Sequence, residues 1–232
     1  MTPAPRLKVV GVTAAFAAVV LAGMFLSSRH VKAIDDDSDS NESRIERGFD
    51  IAPVPLNLEG KNRALVGLGS YIVNAVADCD GCHSAGPPTE FARGGNPYFG
   101  QPTKINPATY LGGGNHFHIA GPNFPDIVSR NLTPDKTGLP EGGHSFAEFV
   151  QIIRTGVDLD HAHPNCSATI TTNCFPIGPG NPPFVSDLLQ VMPWPIHKNM
   201  TDHDLRAIYE YLGTIPCIEG PPAPSLLHND CQ

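Results

Sequence analysis

The sequence predicts an all-α domain whose helices are joined by long, irregular loops rich in Gly and Pro, and three observations predict it. Apolar residues recur at helical spacing in three segments: Asn62 to Val76, Ser145 to Thr155 and Thr201 to Gly213. Gly 23 and Pro 24 are high for 232 residues, while strand-like alternation is scarce. The stretch Cys79-Asp80-Gly81-Cys82-His83 has the form of a haem attachment site: two thiols at the end of a helix reach one edge of a porphyrin, and the next residue is carried beneath the ring. The fold expected is therefore a helical domain around one covalently bound haem. A structural zinc site would need a second Cys/His pair of comparable spacing, and a thioredoxin-like pair would need a βαβ context. Neither is visible.

The hydrophobic share of 41% is enough for a core in one domain. The formal charge of -8 argues against a nucleic-acid partner, which wants a basic face. It favours solubility, or docking onto a partner with positive charge around its own redox centre. Residues 1–33 are of a different kind. Arg6 and Lys8 precede an uncharged run from Val9 to Leu26, and Val31-Lys32-Ala33 offers small residues at a cleavage position. Residues 1–33 read as a signal peptide or an N-terminal membrane anchor, so the chain is expected to be exported to the periplasm or another extracytoplasmic space, with membrane association possible through residues 9–26. Removal of that segment takes away four basic and no acidic residues and moves the formal charge from -8 to -12.

Residues 34–59 are expected to form an acidic, extended linker. Asp35 to Glu42 is polar and acidic, and Pro53 and Pro55 hold Ile51 to Leu58 extended. The folded domain is expected over 60–216, with 217–232 as a C-terminal tail. Asn62 is a candidate N-cap for the helix that leads to Cys79, with Leu65, Leu68, Ile72, Ala75 and Val76 on its apolar side. Gly67 and Gly69 weaken that helix, by about 1 kcal/mol each relative to Ala, and mark either the close approach of another helix or a frayed first turn.

Residues 84–143 contain 11 Gly and 9 Pro, too many breakers for a long helix or a central strand. They read as a wrap over the haem edge, or as an insertion for partner contact. His116 and His118 read as surface or hydrogen-bonded residues. Asn131-Leu132-Thr133 has the form of a glycosylation acceptor, but Pro134 and the neighbouring turn residues explain it more simply. Ser145 with Glu148 forms a capping box; Phe146, Phe149, Val150 and Ile153 share one face, and Gly156 ends the helix. His161 and His163 fit a solvent-facing turn better than a metal pair.

Near the C-terminus, Pro193 and Pro195 stiffen the chain after Met192, and Trp194 offers an N–H to a haem propionate or a buried carbonyl. On the residues alone Met192 is either a ligand or a gap-filler in the core. Thr201 with Asp204 starts the last helix, whose stripe of Leu205, Ile208, Tyr209 and Leu212 is expected to pack on the haem-leading helix. If haem takes Cys79 and Cys82, four cysteines remain, and short loops favour Cys166 with Cys174 and Cys217 with Cys231.

In order along the chain, Gly69 to Ile72, Cys79 to His83, Asn131 to Gly138, Phe149 to Gly156, Met192-Pro193-Trp194 and the helix from Asp202 to Leu212 together resemble class I cytochrome c. The similarity is to the cytochrome c domains of periplasmic alcohol, aldehyde and sugar-acid dehydrogenases, over roughly residues 60–216. It implies a cytochrome c-like fold with one haem c attached through Cys79 and Cys82, and His83 and Met192 as the iron ligands, with Met200 as the competitor. It further implies outer-sphere electron transfer rather than catalysis. The donor would be a dehydrogenase or quinol-linked complex, the acceptor an oxidase or another cytochrome. A haem enzyme or gas sensor with an open sixth position is the alternative. Two departures are plain: those subunits usually carry three attachment motifs where this chain has one, and the segment around Cys166 and Cys174 is not part of the pattern. Arg93, Arg130 and Arg154 are candidates for the propionates by charge.

Overall fold

The computed structural model describes residues 36–85, 87–117, 127–159, 188–223, 225 and 227–232. Residues 40–232 form one compact unit, and of the separate unit 1–39 only the start of the first helix is described. The leader, His118, the pair His161 and His163, and Cys166 with Cys174 lie outside the described residues.

The described architecture is mostly helical, with one small sheet. Helix α1 spans Asp36–Ile51, where an extended acidic linker was expected. Its apolar side is narrow, essentially Ile45 and Phe49 one turn apart, and both pack on the core. The close fit between them decides the matter. A Cβ on Gly48 would lie 1.8 Å from the Gly67 carbonyl oxygen, and one on Gly67 would meet Ile45 at 2.7 Å. The helix is thus held by tertiary contact rather than by its own propensity. After it, Val54 is buried and the Asn57 N–H donates to the Thr214 carbonyl (2.8 Å), so residues 52–58 belong to the fold.

Helix α2 (Arg63–Tyr71) starts at Asn62, whose side chain accepts from the Ala64 and Leu65 N–H groups. Helix α8 (Asp202–Leu212), capped by Thr201, lies across its other side. A Cβ on Gly69 would come within 1.9 Å of the Ala207 carbonyl oxygen. Gly67 and Gly69 therefore mark two close approaches, one on each side of α2, and not a frayed turn. The packing face of α8 differs from the expected one. Ala207 and Tyr211 meet α2, while Leu205, Ile208 and Leu212 line a cavity and Tyr209 stacks near Phe146 and Phe149.

A polar network joins the helices in the interior. The Tyr110 hydroxyl donates to Asn74 Oδ1 (2.6 Å) and lies 2.8 Å from the Tyr211 hydroxyl, and Asn74 Nδ2 donates to the Ser70 carbonyl. Ser70 Oγ reaches back to the Gly48 carbonyl at 2.6 Å. Every hydroxyl so buried has a partner, which removes the cost of taking it from water.

Helix α6 (Phe146–Thr155) has the complete capping box of Ser145 and Glu148, and Gly156 closes it with the Trp194 indole against its α-carbon. The short helices α4 (Pro87–Glu90) and α5 (Pro140–Gly143) precede it in the chain, and α7 (Trp194–His197) follows Met192. Against the all-α expectation, β1 (His116–Phe117) pairs antiparallel with β2 (Ile127–Val128), His116 opposite Val128. The pair is two residues long, too short to leave an alternating signature in the sequence.

Residues 217–232 are likewise not a loose tail. Cys217 and Cys231 form a disulfide. Asn229, only 2% exposed, donates to the Thr133 and Pro134 carbonyls, and the Asn131 amide donates to the Ile218 and Leu227 carbonyls. Asn131 is thus a buried structural residue.

Candidate functional site

Helix α2 does not run straight into the thiols. Ile72–Val76 widens into a π-turn, Ala77 follows, and Asp78 takes a left-handed conformation (φ 51°) before α3, Cys79–His83. A π-turn and a positive φ at a non-glycine residue are both features that gather at functional sites. Together they turn the chain so that Cys79, Cys82 and His83 all line the cavity.

That cavity is about 210 Å³ and lies between α3, the β1–β2 pair, α6 and α8. Its lining is chiefly apolar: Val73, Phe117, Ile127, Leu132, Phe149, Ile153 and the Leu205, Ile208 and Leu212 face of α8. Protein interiors are close-packed, and a largely apolar recess with a few polar groups converging on it is the ordinary form of a ligand or cofactor site. The cavity is shaped for an occupant.

His83 is half-buried, and its Nδ1–H donates to the Arg130 carbonyl at 2.8 Å, which leaves Nε2 as the free lone pair. Burial, the larger effect, and the Arg130 charge hold the imidazole below its ordinary pKa, in the neutral form that binds metal, although the carbonyl bond opposes them. The carbonyl is itself fixed. Gly113 threads between the two segments: its N–H donates to the His83 carbonyl at 2.6 Å, and a Cβ there would lie 2.5 Å from the Arg130 carbonyl carbon. With φ 71°, Gly113 is suited by conformation as well as by space. The Arg130 guanidinium pairs with Asp158 at 2.6 Å, and Asp158 is 4% exposed.

The two thiols are free. Burial first, then the charges of Asp80 and Asp78, push the Cys79 thiol up to about 12. The Cys82 thiol is raised by burial and by Asp78, Asp80 and Glu90. Such surroundings favour the neutral thiol over the thiolate. Among the described residues no three His, Cys, Asp or Glu side chains gather closely enough to hold one ion. Two separated thiols beside a neutral imidazole and a large apolar cavity fit a macrocycle with its own metal.

On the opposite stretch, Met192 and Met200 both line the cavity, as does Gln190, whose Oε1 is buried without a hydrogen-bond partner. Met192 follows the bridge from Leu188 to Val157 and is followed at once by the turn into α7. The Trp194 N–H donates to the Leu189 carbonyl (3.2 Å), so the indole holds this segment against α6. Of the three arginines, only Arg130 lines the cavity. Arg154 is tied to the Lys198 and Met200 carbonyls and to Asp202, and Arg93 lies on an outer loop. Sequence reasoning singled out Cys79, Cys82, His83 and both methionines. It missed Asp158, and it missed the role of the Gly112-Gly113-Gly114 run, which is legible only as a run of glycines.

Two curated relatives are similar to this chain. One is the gluconate 2-dehydrogenase cytochrome c subunit of Pantoea cypripedii, 28% identical over 151 residues, which are 65% of this chain and 23% of the relative. The other is the fructose dehydrogenase cytochrome subunit of Gluconobacter japonicus, 25% identical over 154 residues, 66% of this chain and 22% of the relative. Both are dehydrogenase cytochrome subunits, which is the resemblance the motifs carry. The chain spans less than a quarter of the length of these relatives. It matches no family model and no solved structure.

Proposed function

We propose that this chain is an exported c-type cytochrome that carries single electrons and catalyses no reaction of its own. The observation that supports it best is the half-buried, neutral His83, held by the Arg130 carbonyl at the edge of an apolar cavity that two free thiols and Met192 also line. One haem, when bound, supplies a one-electron ferric/ferrous couple. Cys79 and Cys82 would hold it through thioether bonds, and His83 Nε2 and the Met192 sulfur would bind its iron. With two side chains bound to the metal, no place would be left for a substrate, and outer-sphere transfer would be the remaining chemistry. The soft Met192 thioether and the apolar lining both favour the reduced state and so raise the potential. The Arg130–Asp158 pair, with Asp158 buried and Arg130 half-buried, and the closed backbone around His83 would keep the ligand from moving between oxidation states. The donor would be a dehydrogenase or quinol-linked complex, and the acceptor an oxidase or another cytochrome.

The test is spectroscopic. In the haem-loaded protein, Met192→Ala is expected to abolish the sulfur-to-iron charge-transfer band of the ferric state, and Met200→Ala to leave it intact. The reverse pattern assigns the ligand to Met200. Rapid, stoichiometric carbon monoxide binding by the reduced wild-type protein at neutral pH would instead favour a haem enzyme or gas sensor.

A further inference from the structure

The loop that leaves the site beside Cys82 carries a feature the haem cavity does not use. Glu90 and Asn106 mark its base: the Asn106 N–H donates to the Glu90 carbonyl (2.8 Å), Phe91 bridges to Ile105, and the Ala92 and Lys104 backbones pair. Its tip is a 3₁₀ turn, Pro97–Phe99, capped by the Asn96 side chain and by Gly100. The turn holds Tyr98 at 87% and Phe99 at 78% exposure. Aromatic side chains gain most when removed from water, so two of them held exposed on a braced turn are an unused contact surface.

Charge on this loop runs opposite to the chain. Arg93 and Lys104 are exposed and make no ion pair among the described residues, and no carboxylate occurs between Glu90 and Asp126, although the whole chain carries -8. The adjoining ground is acidic. Glu90 lies close enough to Asp80 and Asp78 to feel their charge. The tip is not remote from it, because the Tyr98 ring sits edge-on to Phe91, 6.3 Å between centroids, next to Glu90. One patch therefore joins an aromatic, cationic tip to a carboxylate border beside Cys82, in which Asp78 is exposed, Glu90 half-buried and Asp80 buried behind them.

A patch with adjacent regions of opposite charge is complementary to itself under a two-fold axis. We propose that a second copy of this chain docks here, the Tyr98–Phe99 tip and Arg93/Lys104 of each protomer meeting the Glu90–Asp78 border of the other, which brings the two Cys82 edges together. The surface stands whatever the chain carries. Its purpose, electron exchange between copies, rests on the function proposed above.

Sedimentation of the haem-loaded full chain at low salt tests it. The wild type is expected to dimerise, and Tyr98→Ala with Phe99→Ala to raise the dimer dissociation constant at least about tenfold, as loss of paired aromatic anchors does. Arg93→Glu with Lys104→Glu, and separately Glu90→Lys, should each be monomeric, and a mixture of the two should recover a dimer through two attractive contacts. A wild type that stays monomeric to millimolar concentration, or a dimer that survives these changes, overturns the interface. Nuclear magnetic resonance of mixed ferrous and ferric protein reads the purpose separately. A dimer that passes these tests but exchanges electrons no faster than the monomeric variants leaves the interface standing and removes electron exchange between copies as its purpose; the electron-carrier reading itself falls only if the haem-loaded protein shows no reversible ferric/ferrous couple.

Discussion

At the scale of single residues, the site depends on how little freedom His83 has. Its ring is fixed by one carbonyl, that carbonyl is packed against Gly113, and the same residue's guanidinium pairs with the buried Asp158. An orienting bond of this kind sets both the tautomer and the direction of a metal-binding imidazole. Gly113→Ala is the change that strikes it most directly, since the Cβ would enter the Arg130 backbone and the left-handed φ costs about a further 1–2 kcal/mol. We expect a lower urea midpoint together with partial loss of the low-spin spectrum of the haem-loaded protein. A variant that loses stability alone would make Gly113 a packing residue only. The sequence spacing singles out Cys79, Cys82 and His83 as a group, and the structure places all three on one cavity; their part in haem attachment belongs to the function proposed above. Asp158 was not legible, because a lone acid in an irregular stretch carries no pattern until an arginine is placed beside it.

At the scale of elements, helices α2 and α8 pack closely because Gly69 leaves room for the Ala207 carbonyl. Gly69→Ala must push the helices apart or bend one, and a loss of about 3 kcal/mol or more is expected, in the range of overpacked cores. Urea unfolding at neutral pH measures it. Helix α6 supplies a pH-dependent contribution. Glu148, exposed, is held below its ordinary pKa by the Ser145 hydroxyl and then the Ser145 backbone N–H. A carboxyl lowered on folding contributes stability that is present above its unfolded pKa and is lost as pH falls through the folded one. Glu148→Gln should therefore be less stable than the wild type at neutral pH and converge with it in acid. A constant difference across that range would remove the capping interaction as the cause. These three helices were legible because caps and apolar spacing agree. Helix α1 was not: an acidic run with two apolar residues one turn apart reads as solvated linker, and only the Gly48–Gly67 contact holds it in place. The face of α8 was misassigned for a related reason. Its larger apolar residues turn to a cavity that a cofactor would fill, and its small residue, Ala207, meets the neighbouring helix.

At the scale of the whole molecule, the core is shared between helix packing and the closure of long loops. The C-terminal segment belongs to that closure, since Asn229 and Asn131 bind it to the 131–134 stretch that adjoins Arg130. The Cys217–Cys231 disulfide closes a short loop of sequence separation 14. Replacing both cysteines by Ser should cost about 3 kcal/mol by the loop-entropy argument, and loosen the segment that bears on Arg130. Thermal unfolding of the haem-loaded protein with and without a reductant checks it; no change in midpoint would show that the asparagine bonds suffice. This pairing could be read from loop length, but its connection to the site could not, because no periodicity links residues about a hundred positions apart. The central claim remains that a porphyrin is joined to Cys79 and Cys82. Intact-mass measurement of the chain, expressed with export and a haem-attachment apparatus, is the direct test. The expected result is one species heavier by a single haem that survives acid–acetone extraction and is absent when both cysteines are replaced. A colourless chain of unmodified mass, with both thiols open to alkylation, would contradict it.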